Sequence, residues 1–341
     1  MAGDPTPANG KYSSGGNNIG NSIADVTKYI TSKLDEIIVQ EAKTSGMTAD
    51  PALVQATGTA GSVKLGTIET TGLGNYDKVK GYPVGQTTLT WQTYQLTNDR
   101  AIKIVIDNRD KQTTDGVITA AAVAAEEMRT KVVPEIDATR MAKLFYDVNA
   151  QNSANNNVTA EAKPTAANVI SKIVAGIDNV AEATGIDTGL TVYVNGALRS
   201  LINNSSEVAT RKDINNPSTE FNSRYLEING NKLVFVPSSR MYTSITLKDG
   251  YTNVVPDDAA PNTLDPTKFG YAAGSYDIWF AVVAPGVANA ITAINNTKVI
   301  PAAQSEMFDG DSYMFRIYHD LIVPKNKTVG AYISVKTGGA S

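Results

Sequence analysis

Residues 115 to 148 form a run of helix-forming residues interrupted once, by Pro134, and this run most constrains what the chain can become. Ala, Met, Leu, Glu, Lys and Arg dominate it, residues that lose little freedom in a helix. Asp115 is a candidate N-cap, and Glu127 with Lys131 makes an i,i+4 ion pair in the favourable orientation. At about 1.5 Å per residue the run would span roughly 45 to 50 Å, more than the width of a small domain. Pro134 has no N–H to offer the carbonyl of Thr130, so either a bent helix or two helices meeting at Val133 is expected.

Directly before the rod the signals are extended. From Ser62 to Asp107, "SVKLGTIETTG" and "TTLTWQTYQLTNDRAIKIVID" are rich in Thr, β-branched and aromatic residues, with Ile102, Ile104 and Ile106 alternating. They predict a long two-stranded ribbon with a mobile tip at 72–85, "GLGNYDKVKGYPVG". Such a ribbon is marginal alone and is expected to lie against something. Further upstream, Ile23, Val26, Ile30, Leu34, Ile37 and Ile38 recur at three and four, predicting an amphipathic helix from Ser22 to about Gly46, with Asp25 near its start. The first twenty residues are small and polar and lack the apolar stretch of a signal peptide, so a tail is expected there.

Downstream, 150–164 reads as a linker. Thr165 caps a second amphipathic helix carrying Ile170, Ile173, Ile177 and Val180 and stopping at Gly185. "LTVYVNGALRSLINN" predicts a buried strand and a short helix. "YLEINGNKLVFV" predicts a hairpin turning on Asn229-Gly230. A Pro- and Asp-rich loop at 256–268, the strand "YDIWFAVVAP" and two closing strands, "SYMFRIYHDLIVP" and "TVGAYISVK", complete the chain. Strands and helices mix without a βαβ rhythm, so the fold class is α+β.

The composition narrows the chemistry. A formal charge of -4 argues against tight, sequence-blind nucleic-acid binding, and the absence of cysteine excludes disulfides, thiolate nucleophiles and thiolate-bound metal. The most apolar stretch, 278–291, is broken by Pro285 and Gly286 and is too short to span a membrane. His319, the one histidine, shares a strand face with Phe315, Ile317, Leu321 and Val323 and reads as a satisfied, half-buried side chain. Neither Ser312 nor Ser334 has the context of an activated nucleophile. "GLGNYD" carries Asp77 where a dinucleotide loop needs its third glycine. The acidic stretches 107–115 and 254–265 lack calcium-loop spacing and read as solvated turns. No enzyme activity and no cofactor are expected; carboxylates paired from distant segments are the one catalytic arrangement the sequence leaves open.

The order of parts, and above all "GLGNYDKVKGY", "TLTWQTYQLTNDRAIKIVID", "RTKVVPEIDATRMAKL" and "YHDLIVPKNKTVGAYI", resembles the major capsid proteins of tailed double-stranded DNA phages, the Hong Kong ninety-seven type, in particular those from phages of Gram-positive bacteria. The resemblance runs from about Gly61 to Lys336. It implies an N-terminal arm (1–61), an extended loop (62–107) reaching over a neighbouring subunit, a peripheral domain (108–159 and 296–341) whose spine is the bent helix, and an axial domain (160–295) around the five-fold and six-fold axes. It implies an icosahedral shell of hexamers and pentamers around the genome, assembled in the host bacterial cytoplasm with scaffolding and portal proteins. Cement or decoration proteins and non-specific contact with packaged DNA are further implied partners. The expected intersubunit residues are Trp91, Tyr94, Arg100 and Lys103 on the ribbon, with Glu126, Arg129 and Asp137 on the spine. Some relatives form a lysine–asparagine isopeptide bond. Lys78, Lys80 and Asn326 stand in the matching regions, but no pattern pairs them and ordinary solvated side chains are the favoured reading. Only about sixty residues precede the ribbon, which points to a separate scaffolding protein. A tail or surface-layer subunit is the competing reading, favoured by the Thr and Asn content.

Overall fold

The computed structural model of the chain describes residues 37, 41–47, 54–56, 61–79, 81–113, 119–205, 227–251, 264–304 and 309–338. The start of the helix expected from Ser22, Asp115, Lys80 and most of the loop at 256–268 lie outside them.

The rod is one continuous helix of three parts. Helix α1 (Ala120–Glu127) passes through a π-helical turn (Met128–Val132) into helix α2 (Val133–Asn149). Its cap is Thr119, whose hydroxyl accepts from the N–H of Ala122 at 3.2 Å. Pro134 explains the π turn. The carbonyl of Thr130 has no donor four residues on, and the N–H of Val133 instead reaches back five residues to Met128. The expected irregularity is present as a widened turn within an unbroken helix.

Strands β1 (Val54–Ala56), β2 (Ser62–Thr70) and β3 (Thr87–Gln95) form an antiparallel ribbon in the order β1-β2-β3. The ribbon ends earlier than the sequence predicts. Strand β4 (Asn98–Asp107) belongs instead to a three-stranded antiparallel sheet with β12 (Asn289–Ile300) and β13 (Gly310–Ile322), β13 in the middle. The reason is in the side chains: Ile102 and Ile104 pack with Tyr313, Phe315 and Ile317 against Ala124, Met128 and Ile136 of the helix. An amphipathic strand of this kind gains more from a covered sheet than from a solvated ribbon.

The remaining strands are β5 (Val158–Glu161), β6 (Thr191–Asn195), β7 (Glu227–Ile228), β8 (Asn231–Val236), β9 (Ile245–Leu247), β10 (Tyr271–Ala273), β11 (Ile278–Val283) and β14 (Ala331–Lys336). Six of them make a mixed sheet, β5-β14-β11-β6-β8-β7, and β9 pairs with β10. Every residue of β11 is buried, as a central strand covered on both faces requires. Helix α3 (Val169–Thr184) places Ile170, Ile173, Ile177 and Val180 in the same core and ends at Gly185, φ 73°. It starts one turn after Thr165, whose carbonyl accepts from Asn168 and Val169. The hairpin at Asn229-Gly230 has both residues at positive φ, 51° and 77°.

The long helix joins the two sheets. Its first half lies on the three-stranded sheet, and Met141, Leu144, Phe145 and Val148 of its second half enter the core of the six-stranded one. Strand β14 shares that larger sheet with β6, β8 and β11, so the sheet crosses the boundary expected at residue 295.

Candidate interaction surface

The ribbon is buried at its base and exposed beyond it. Val63 and Leu65 pack with Leu96, Ile291 and Ile322, whereas all of β3 except the half-buried Tyr94 is exposed. Trp91 lies across Gly66, where an added Cβ would stand 3.2 Å from the indole. The ring thus covers the glycine while remaining 40 % exposed. At the tip, Leu73, Tyr76, Val79, Tyr82 and Val84 all stand in solvent. Within the tip, Asp77 and Gly81 exchange two backbone hydrogen bonds, and the carboxylate of Asp77 accepts from the N–H of Val79 at 2.6 Å. The exposed apolar side chains therefore form a finger on a framework of main-chain bonds. Five large apolar side chains exposed on one protruding turn make the tip a candidate contact surface.

A polar joint sets the ribbon against the body. Buried Asp320 accepts from the N–H of Thr97 at 3.0 Å, its hydroxyl at 2.8 Å and the N–H of Leu321 at 2.8 Å. Tyr318 donates to the carbonyl of Leu96, and the N–H of Leu96 donates to the carbonyl of Gly61. None of these residues is singled out by the sequence. The available signal was the break in alternation at Leu96-Thr97. The tip aromatics were likewise legible as large apolar residues inside a Gly- and Lys-rich turn.

The expected contact residues fall into different settings. Trp91 and Tyr94 lie on the ribbon. Lys103 and Glu126 are exposed, Lys103 on the sheet face turned from the helix. Arg100 works within the chain, clasping Glu135 through Nε (2.6 Å) and Nη2 (3.2 Å) and donating to the carbonyls of Lys248 and Gly270. Arg129 pairs with Glu41 of the same chain at 2.6 Å. Asp137 is fully buried, accepting from the N–H groups of Lys43 and Thr44, the Thr44 hydroxyl and Arg240. Its carboxylate fastens residues 43–44 to the helix, so a folded chain has no Asp137 surface to offer a neighbour. Lys78 is exposed at the tip and Asn326 is exposed in the turn before β14.

His319 differs from the satisfied, half-buried residue expected. It is 1 % exposed, its Nδ1 has no hydrogen-bond partner, and burial, aided by Arg140 and Arg100, pushes its pKa down to about 4. Among the described residues no cluster of His, Asp or Glu is arranged to hold a metal. No described helix is long and apolar enough to cross a membrane.

The same architecture occurs in solved capsids. A chain from the capsid of the cyanophage P-SCSP1u matches with a TM-score of 0.56 at 7 % identity, over 85 % of this chain and 86 % of that one. A chain from the mature capsid of bacteriophage PhiM1 matches with a TM-score of 0.50 at 13 % identity, over 81 % and 82 %. No protein-family model and no curated protein sequence matches the chain. The fold is the α+β, Hong Kong ninety-seven-type fold that the ordered segments imply.

Proposed function

We propose that this chain is the major capsid protein of a tailed double-stranded DNA phage, assembling into the hexamers and pentamers of an icosahedral shell around the genome. One observation carries the reading beyond the fold: a β ribbon whose outer half and tip present Trp91, Tyr76, Tyr82 and other apolar side chains that stay exposed among the described residues. A monomer gains nothing from such a surface, whereas a ring of identical subunits buries it once per contact. Individually modest contacts become a durable shell through repetition.

In this reading the ribbon reaches over a neighbour, and Trp91, Tyr94, Lys103 and Glu126 contribute to the contact. Arg100 and Arg129 support it from within, the one by bracing β4 on the helix and the other by holding the arm. Residues 1–61 serve as the arm, 108–159 and 296–341 as the peripheral domain and 160–295 as the axial domain, with β14 stitching the last two together. The chain does no turnover chemistry. Its partners are itself, scaffolding and portal proteins, decoration proteins and, without sequence preference, packaged DNA. It resides in the virion after assembly in the bacterial cytoplasm.

Negative-stain electron microscopy of the purified chain, with and without co-expressed scaffold, tests the proposal. Rings or closed icosahedral shells are expected. Fibres or flat sheets would instead identify a tail or surface-layer subunit, and a monomer at every concentration would end the assembly reading.

A further inference from the structure

The sequence contains three Asn-Gly pairs, at 9–10, 195–196 and 229–230, the first of them outside the described residues. Asparagine amides are thermolabile, most of all before glycine, whose main-chain nitrogen has no neighbouring Cβ to hinder its approach to the side-chain carbonyl. The fold treats the two described pairs in opposite ways. Asn195 is 1 % exposed, its Oδ1 accepting from the N–H of Ala197 at 3.0 Å and its Nδ2 donating to the carbonyl of Ile278 at 2.9 Å. Gly196 lies against the end of β8, with the carbonyl of Val236 3.2 Å from where a Cβ would stand. Attack on the Asn195 amide must first break both bonds inside the core.

Asn229 and Gly230 are both exposed, at the turn of the β7–β8 hairpin. The ladder closes at Ile228 and Asn231, so neither turn residue belongs to it. Among the described residues the Asn229 side chain makes no hydrogen bond; only its main-chain carbonyl is engaged, accepting from Nδ2 of Asn231 at 3.4 Å. Asn231 is fully buried, with Oδ1 accepting from the N–H of Leu190 and Nδ2 donating to the carbonyl of Asp187, so β8 is held firmly up to the turn. Strand β7 is two residues long and forms the edge of the six-stranded sheet, a place where local opening costs little.

We propose that Asn229 is a site of spontaneous covalent modification, from which Asn195 is protected by the fold. The main-chain nitrogen of Gly230, giving up its proton to water, attacks Cγ of Asn229. The N–Cγ bond forms, the Cγ–Nδ2 bond breaks, and ammonia leaves with the proton. Water then opens the resulting succinimide at either carbonyl, yielding aspartate or isoaspartate. The net reaction consumes one water and releases one ammonia, with no change of oxidation state. Aspartate keeps the turn, because like asparagine it tolerates positive φ. Isoaspartate routes the main chain through the former side chain and adds a methylene, which a two-residue turn absorbs only by releasing the Glu227–Lys232 pair. On the assembly reading above, a shell subunit is not replaced once the particle has formed, so the product accumulates with the particle's age.

The test holds the full chain, folded or in denaturant, in warm, mildly alkaline water enriched in heavy oxygen. Tryptic peptides are then read by mass spectrometry with fragmentation, and any conversion during digestion in ordinary water goes unlabelled. In the folded chain the label is expected at residue 229, as a mixture of aspartate and isoaspartate. It should enter there roughly tenfold or more faster than at residue 195, where reaction waits on opening of the core. In denaturant the two positions should react at similar rates. Asn229→Asp should fold as the wild type does and form no isoaspartate at 229 over the period in which the wild type does. A folded chain in which Asn229 stays as silent as Asn195 overturns the proposal, since the turn then withholds the geometry of attack. Equal labelling of both in the folded chain overturns it too, since burial then protects nothing. Either outcome leaves the assembly reading to be decided by microscopy.

Discussion

The phenol of Tyr318 donates to the carbonyl of Leu96 at 2.8 Å, fixing the root of the ribbon to the central strand of the sheet under the long helix. Gly61 completes the joint: its φ is +80°, and an added Cβ would collide with the same phenol ring. With Asp320 holding Thr97 from the other side, the ribbon leaves the body in a direction set by three side chains and one glycine.

Gly61→Ala should therefore destabilise the chain by about 1–3 kcal/mol, through a left-handed backbone that alanine resists and a clash with Tyr318. Chemical denaturation measures it. Tyr318→Phe, which removes only the bond to Leu96, should cost about 1 kcal/mol. Equal losses from the two would show that the glycine's conformation is irrelevant.

Asp137→Ala should cost about 3–5 kcal/mol, because it leaves Arg240 and two main-chain donors without their buried acceptor. Limited proteolysis should then cut near residues 41–47, now detached from the helix, before the body is attacked. Wild-type resistance in that segment would mean that Met47, in the core, is anchor enough.

His319 predicts an acid-side loss of stability. Its folded pKa is about 4 against an ordinary 6.5, so between these values the unfolded chain binds a proton that the folded chain refuses. The contribution is complete above pH 6.5 and is lost as pH falls towards 4, amounting to about 3 kcal/mol at full extent. Unfolding free energy measured from pH 7 to 4 should fall less steeply in His319→Gln than in the wild type. Parallel profiles would show that His319 is not the group responsible.

Trp91→Ala should separate folding from assembly. The ring is 40 % exposed and rests on Gly66, so its loss should cost the single chain no more than about 1.5 kcal/mol. The concentration at which particles appear, followed by light scattering, should rise by roughly tenfold. An unchanged threshold would remove Trp91 from the contact.

What the sequence determined by itself is the set of local elements. Asn229-Gly230 dictates a hairpin because only residues tolerant of positive φ make that turn. Gly185 ends a helix for the same reason, and Pro134 forces an irregularity because it lacks an N–H. These are short-range effects, complete within a few residues of the cause. Tertiary structure alone decided where β4 goes, since Ile102 and Ile104 alternate equally well in a ribbon or a sheet until Tyr313 and Met128 arrive to cover them. It alone turned Asp137 inward, where the partners are Thr44 and Arg240, each about a hundred residues away. It left His319 without a partner for Nδ1 and the tip tyrosines without cover. Burial depends on which distant segments meet, and a one-dimensional pattern records that a residue is apolar or charged but not what comes to lie against it.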